Sequence, residues 1–465
     1  MTSGRATAVV VGGSIAGSFV ARVLADHFER VIVFDRDDLP GGAVARPGAP
    51  QGVHFHALLA RGRMVAAELF PGFVDDLLTG GAPTVRLRDA LVYEPYGWAP
   101  TASSDRSNAG ASRLLIESVI RRRAALLTNV EVRPATEVVE LVASTDRRQV
   151  TGVRFRSRGN HPDSVYEQSA DLVVDASGRA SPVLTWLSTL GYPPPAMTRV
   201  NAHWGYSSRF CRLAEGVAPP VVGGFPIGKA SDGPAATRGG FLLKQEGDLW
   251  LVTLSGCAKD FPPVDDNGFA EFARTLAFPQ IGEALPHAEP LSPIRSWRNT
   301  VNRMRHFERM PSWPESFVCV GDAVCSFNPV YGQGMTVAAL GSLDLAAELE
   351  AEGRDGHVGI GIGFQRRLAA TIKQPWEAAC RSDFGVPGVE GAPPPDGFSE
   401  RFAFYERVVA LGRDDPVIYE KLGATNQLVI GPDWLDEPEL RARVLGAWDD
   451  LGALVGSTAG PPPEG

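Results

Sequence analysis

Gly12-Gly13-Ser14-Ile15-Ala16-Gly17 follows an apolar stretch, Ala8 to Val11, and opens a helical pattern, Ile15 to His27; a second apolar stretch, Val31 to Phe34, ends at Asp35. Strand, glycine turn, helix, strand and acid in that order commit the start of the chain to a βαβ unit of an α/β fold. The spacing matches a dinucleotide-binding turn. In such a turn the first glycine reverses the chain tightly and the last lets helix and strand approach, while the helix N-terminus faces a pyrophosphate and the acid takes a ribose hydroxyl. Gly12, Gly13, Ser14, Ala16, Gly17 and Asp35 are therefore candidate cofactor residues. Ser14 stands where the middle glycine is expected; it narrows the backbone approach but adds a hydroxyl that can donate to a phosphate. Taken alone, the segment also fits a plain βα turn.

Length and charge narrow what surrounds this unit. A chain of 465 residues, 44% of them hydrophobic, corresponds to about three domain equivalents and can bury a large core. Acidic residues exceed basic ones by 54 to 45, a net charge of -9, which argues against sequence-independent nucleic-acid binding. The five cysteines include no C-x-x-C pair, so neither a disulfide framework nor a zinc site is expected. No stretch is long and apolar enough to span a membrane, since even Met335 to Leu349 carries Asp344 and Glu348. A cytoplasmic protein with no membrane span and no nucleic-acid partner is the expectation.

The pattern divides the chain into units at 1–199, 200–298, 299–358, 359–456 and a flexible tail at 457–465. In the first, a helix is expected from Arg113 to Leu127 behind Ser112 as N-cap. Val130 to Arg133, Glu137 to Val142 and Val150 to Arg156 read as a small meander outside the main sheet, and Asp171 to Asp175 as a buried parallel strand. The second unit has longer alternating strands, such as Gly240 to Gln245 and Leu249 to Ser255, with one helix near Phe269 to Leu276. Ser316 to Val320 then returns to the first pattern, so the first domain is discontinuous. The 359–456 unit reads as helical, broken by the loop Gly385 to Gly397; the glycine run Gly359 to Gly363 follows no clear strand and reads as structural.

Two later segments, Asp171-Leu-Val-Val-Asp175-Ala-Ser177-Gly178-Arg179-Ala-Ser181 and Cys319-Val-Gly321-Asp322-Ala-Val-Cys325-Ser-Phe-Asn328-Pro329-Val-Tyr-Gly332-Gln-Gly334-Met335, resemble motifs of FAD-dependent group A monooxygenases of the para-hydroxybenzoate hydroxylase type. With the N-terminal turn they make three motifs in the family's order. The resemblance implies a Rossmann-like FAD-binding domain, with Asp322 on the ribityl chain and the loop of Pro329, Gly332, Gly334 and Met335 beside the isoalloxazine. A helix starting near Gly332 would point its positive end at the reduced flavin. Arg46 to His56, Gly205 to Phe210 and Ser296 to Asn302 are similar to polyene epoxidases of polyether biosynthesis, a likeness that runs to about residue 380. It implies a flavin C4a-hydroperoxide that epoxidises a lipophilic natural-product intermediate with one atom of O2, so that no protein nucleophile or acid/base pair is needed. The resemblance also implies FAD contacts for Arg113, at the pyrophosphate, and Arg46; Arg36 would stack on adenine or stand as a surface arginine.

One position departs from the broader family. Ser177 occupies the place of the acid that helps hold FAD and NAD(P)H, so the electron source is NADPH or a separate flavin reductase. His54 and His56, two apart, would face one side of a strand, with at most one lining the pocket and no third ligand for a metal. Tyr206, Arg209 and Phe241 complete the expected substrate pocket, large and apolar, between the flavin and the second sheet. Cys325 reads as a packing residue. Halogenases carry W-x-W-x-I-P, whereas Trp297 is followed by Arg298-Asn299-Thr300. The alternatives are an aromatic hydroxylase on the same scaffold, a reductase of the geranylgeranyl reductase type, and a flavin-carrying sensor without turnover.

Overall fold

Five parallel strands, in the order Phe317–Cys319, Leu172–Asp175, Thr7–Val11, Arg30–Phe34 and Val130–Arg133, form the central sheet of the computed structural model. The structure describes residues 7–86, 89–94, 97–100, 107–158, 164–217, 219–224, 236–355 and 360–455; the tail expected at 457–465 lies outside them. Runs such as Ala8-Val9-Val10 and Val173-Val174 are wholly buried, as strands covered on both faces must be. The helix Ile15–Leu24 packs against Arg113–Ala125 and the long helix Gln333–Asp355. A three-stranded antiparallel sheet, Thr136–Ala143, Val150–Ser157 and Val165–Ser169, adds Val138, Leu141, Val150 and Val153 to the same core. The mixed α/β architecture with a Rossmann-like parallel sheet is the one expected.

Two strands sit elsewhere than the sequence suggests. Val130–Arg133 pairs in parallel with Arg30–Phe34, so it closes the central sheet and leaves the meander to its two successors. Ala90–Glu94 lies parallel to Val221–Gly224, which places a piece of the 1–199 unit in the second sheet. That pairing joins segments about 130 residues apart, and no local pattern encodes it.

The second sheet has eight strands, with Gly205–Leu213, Trp250–Gly256, Arg238–Lys244 and Val221–Gly224 adjacent in that order. Two helices, Asp266–Arg274 and Gln280–Ala284, cover one face through Phe269, Phe272 and Ile281, where the sequence pattern predicts one. A small sheet pairs Met197–Asn201 with Asn302–Arg305 and takes a two-residue edge strand, Glu390–Gly391, from the Gly385 to Gly397 loop. Helices from Ile362 onward finish the chain, the last four around Val408, Ile418, Trp434 and Val444. Among the described residues no helix is long and apolar enough to cross a membrane.

Candidate cofactor cleft and substrate pocket

The turn after the first strand is built as the glycine pattern requires. Gly12 has φ +104°, and a Cβ there would stand 2.5 Å from the Ala176 carbonyl oxygen, so only glycine fits between the first strand and the loop that follows the Leu172–Asp175 strand. A Cβ on Gly17 would meet the Gly12 oxygen at 1.7 Å, which is why the helix can pack so close to the strand. The Gly13 N–H donates to the Asp35 carboxylate at 2.7 Å, so the acid closes the turn as well as bordering the cleft. Gly13 and Gly17 act in shaping the turn; Gly12, Ser14, Ile15 and Ala16 border the space the helix N-terminus faces.

That space is a cleft of about 740 Å³ at the C-terminal ends of the parallel strands. Three sequence segments converge on it: the Gly12 turn, Ala176 to Pro182, and Gly321 to Met335. Asp35, Arg36, Arg46, Arg113, Asp322, Pro329, Gly332, Gly334 and Met335 all border it. Half-buried Asp322 has no hydrogen-bond partner for its carboxylate among the described residues, and burial raises its pKa against the opposing pull of Arg179, Arg113 and Arg303. Gly332, at φ +64°, ends the short turn Pro329–Tyr331, and the long helix starts at Gln333. Gln333 Oε1 and Trp297 Nε1, both on residues bordering the cleft, are buried without a partner. Open volume, a helix N-terminus, a free carboxylate and orphaned polar atoms together fit a large polar cofactor such as FAD.

Arg46 borders the cleft and is also bound to carboxylates of the chain. Its Nε and Nη2 donate to Glu117 at 2.9 and 2.7 Å and its Nη1 to Asp37 at 2.7 Å, so the guanidinium clamps the Arg46 loop to the Arg113–Ala125 helix. Burial pushes Glu117 up, but Arg113 and Arg46 more than reverse it and hold the carboxyl below its usual range. Arg113 pairs with the other Glu117 oxygen at 2.7 Å and lies 3.5 Å from Ser14 Oγ, beside the helix start. Exposed Arg36 stays at the cleft rim.

Next to the cleft lies a second, nearly closed space of about 10 Å³, bordered by Gln51, His54, Phe55, His56, Tyr206, Phe241, Thr253, Trp297, Pro329 and Val330. It shares Gln51, His56, Trp297 and Pro329 with the cleft. The lining is rich in aromatic rings, but the space is small where a large apolar pocket is expected, because Phe55 stacks on Phe241 with centroids 4.3 Å apart. Residues 50–56 form a short 3-10 turn and irregular chain rather than a strand, yet both histidines reach this pocket. His54 Nδ1 bonds Ser208 Oγ at 2.8 Å, which in turn meets Thr253 Oγ1 at 2.8 Å. Burial lowers the His54 pKa to about 4, and burial with the nearby Arg113 lowers that of His56 to about 3, so both are neutral at pH 7.

Arg209 does not belong to the pocket. Side chains alternate along Gly205–Leu213: Tyr206 and Ser208 face the pocket, while Ser207 bonds the Pro262 carbonyl and Arg209 pairs with Asp266 on the helix-covered face. Cys325 is buried, and burial pushes its thiol well up, as a packing role requires.

The sequence reading missed Asp383, in the helix Ile362–Phe384. Wholly buried, it accepts from Trp204 Nε1 at 3.0 Å, Asn302 Nδ2 at 2.6 Å and the Tyr331 hydroxyl at 2.5 Å. Asn302 Oδ1 accepts from the Asn328 N–H at 2.6 Å, and the Tyr206 hydroxyl donates to Asn328 and accepts from the Val330 N–H. This network fixes the loop that separates cleft from pocket. Only its tertiary position reveals it, since nothing near Asp383 in sequence marks it. Burial raises its pKa to about 7, against the pull of its donors. The native state therefore holds this proton where the unfolded chain has lost it, so the group's contribution falls as pH rises from about 4 to about 7 and is level above. Asp383→Asn is expected to abolish that slope, worth at most about 4 kcal/mol, leaving a constant offset for the altered hydrogen bonds. Tm measured from pH 4 to 8 checks it; parallel curves for the two proteins would remove Asp383 from the account.

The geometry can be set beside known proteins. No protein-family model matches the chain. It is 32% identical over 425 residues to protein Rv3254 of Mycobacterium tuberculosis, covering 89% of this chain and 87% of that one. It is 27% identical over 360 residues to kynurenine 3-monooxygenase of Salinispora tropica, covering 73% and 71%. Among solved structures, a triple mutant of the flavin-dependent brominase Bmp2 superposes with a TM-score of 0.61 at 14% identity, over 95% of this chain and 99% of that one. PqsL, a probable FAD-dependent monooxygenase from Pseudomonas aeruginosa, gives 0.57 at 16% identity, over 82% and 94%. These superpositions establish the fold.

Proposed function

We propose, for a chain that belongs to one family with protein Rv3254 of Mycobacterium tuberculosis, that the cleft holds FAD and that the protein is an FAD-dependent monooxygenase. One observation carries the reading: three ordered motifs meet in a cleft that opens, past Pro329, onto a small aromatic pocket. Bound reduced FAD would supply the activation of O2 to an electrophilic oxygen. The residues of the chain bind and orient. The Ile15–Leu24 helix start and Arg113 would take the pyrophosphate, Asp35 the adenosine ribose and Asp322 the ribityl chain. Phe55, Tyr206, Phe241 and Trp297 would exclude water and receive a lipophilic substrate once the Phe55–Phe241 stack parts. Among the described residues no carboxylate borders this pocket. Epoxidation of an electron-rich alkene suits such a lining, because it needs no protein base.

Aromatic hydroxylation is the second reading, favoured by one feature: neutral His54, fixed through Nδ1 by Ser208, is placed to take a phenolic proton. Halogenation is disfavoured because Trp297 lacks the companion residues of the halogenase motif. A reductase would leave O2 unused.

The Ala176 to Pro182 loop supports a separate reductase as the electron source. Ser177 turns its hydroxyl inward to Asp175 at 2.5 Å, so the loop offers no acid to a nicotinamide nucleotide. NADPH alone is expected to reduce the protein's flavin slowly, and a separate flavin reductase or chemical reductant to support turnover. Anaerobic reduction followed by absorbance decides this; rapid reduction saturating at micromolar NADPH would falsify it.

A further inference from the structure

The small pocket holds more hydrogen-bonding capacity than its own residues use. His54 Nδ1 bonds Ser208 Oγ, and Ser208 Oγ meets Thr253 Oγ1, each at 2.8 Å. Ser208 and Thr253 stand directly opposite each other on the paired strands Gly205–Leu213 and Trp250–Gly256, so the sheet holds the imidazole in one orientation. All three side chains are buried. With Nδ1 committed, His54 Nε2 has no hydrogen-bond partner among the described residues. The Trp297 ring lies beside this imidazole, centroids 6.4 Å apart, and its Nε1–H is buried and likewise unpaired. Both residues border the pocket. A buried polar group left without a partner costs free energy, so native structures pair such groups with protein, water or ligand.

We propose that His54 Nε2 and Trp297 Nε1 anchor an uncharged oxygen function, a carbonyl or a hydroxyl, on an otherwise lipophilic substrate. An indole N–H only donates, so the ligand atom must accept. A carbonyl oxygen has two lone pairs and can accept from Trp297 and from a protonated Nε2, whereas a hydroxyl can accept from Trp297 and donate to an unprotonated Nε2. A carboxylate or an ammonium is the wrong class: among the described residues no Lys, Arg, Asp or Glu borders the pocket, and a charge buried there would stay unpaired. The side chains of Phe55, Phe241, Pro329 and Val330 offer the remainder of the ligand apolar contact. The inference rests on the monooxygenase reading, which makes this pocket the substrate site, and it makes His54 a specificity-determining residue whose loss changes affinity rather than the chemical step.

The test is calorimetric titration of FAD-loaded protein with three short alkenes of one carbon skeleton: a ketone, the corresponding secondary alcohol and the hydrocarbon. The ketone, the alcohol or both are expected to bind about tenfold more tightly than the hydrocarbon. His54→Asn, which keeps a partner for Ser208 but removes Nε2, is expected to erase that advantage and leave the hydrocarbon's Kd unchanged; His54→Gln, which returns a polar group near the Nε2 position, is expected to restore most of it. An advantage for the ketone identifies Nε2 as a donor and one confined to the alcohol identifies it as an acceptor, and either supports the anchor. If His54→Asn folds poorly, Trp297→Phe carries the result through the same selective loss. No binding, equal affinity for all three ligands, or an oxygen advantage that survives the substitutions overturns the anchor and leaves the cofactor reading standing. Protein that takes up no FAD overturns the cofactor reading, and the same titration of that flavin-free protein then decides the anchor by itself.

Discussion

Purified protein is expected to be yellow and to release non-covalent FAD on denaturation, and Gly12→Val to emerge from the same purification without it. A side chain at Gly12 meets the Ala176 oxygen at 2.5 Å and the Ser177 Cα at 3.0 Å, both backbone of a packed loop, and must also adopt φ +104°. The conformation alone costs about 1–3 kcal/mol, and the overlap is relieved only by moving the strand end away from the Ala176 loop, two of the three walls of the cleft. Gly423→Ala, outside the cleft lining, is the control, since its Cβ would meet nothing within 4 Å. Asp322→Ala keeps the walls and removes the free carboxylate. Losing a charged hydrogen bond of about 1.5–3 kcal/mol should raise the Kd for FAD roughly tenfold to 150-fold. Gel filtration with absorbance, then flavin fluorescence titration of apoprotein, measures both. Full FAD occupancy in Gly12→Val, or unchanged affinity in Asp322→Ala, would take those residues out of the cofactor site.

The difference between what the sequence revealed and what it hid is one of range. Gly12, Gly17 and Asp35 were legible because strand, turn, helix and acid are neighbours in the chain and each residue type has a local reason. Asp322 and Gly332 were legible for a like reason, with family resemblance supplying the role. The parallel pairing of Ala90–Glu94 with Val221–Gly224 has no local signature, because its strands read alike in either sheet. Arg209 turns away by the alternation of the strand: Tyr206 borders the small pocket, and a neighbour three residues on must face the opposite way. The pairing of Arg46 with Asp35, Asp37 and Glu117 was not legible because its carboxylates are unremarkable or distant in sequence, Glu117 lying 71 residues further on. The pocket was overestimated since patterning reports which faces are apolar but not whether two rings such as Phe55 and Phe241 fill the gap between them. Asp383 is the clearest case, an acid in a late helix that reaches the loop beside the cleft only after the whole chain has folded.

With reduced flavin regenerated by a separate reductase, a lipophilic alkene is expected to become an epoxide carrying one atom from labelled oxygen gas, and His54→Ala to leave that rate within a few fold. Addition of an electrophilic oxygen to a double bond moves no proton to the protein, and the pocket presents rings and two neutral histidines rather than a charged acid or base. A phenol makes a different demand, because its ring becomes more reactive as the hydroxyl proton leaves, and a positioned base contributes about 10²–10⁴-fold. His54 is the residue placed to do this, and its low pKa sets the pH signature. With a pKa near 4 it is unprotonated throughout the neutral range, so base-assisted turnover should stay flat down to about pH 5 and fall only as pH approaches 4; an ordinary histidine would already lose it below about pH 6.5. The two chemistries thus separate on one variant, two substrates and one pH series, with mass spectrometry of the product as the readout. A labelled ring hydroxyl, with alkenes untouched and turnover lost in His54→Ala, would replace epoxidation by aromatic hydroxylation. Product without any label would point to a reductase instead.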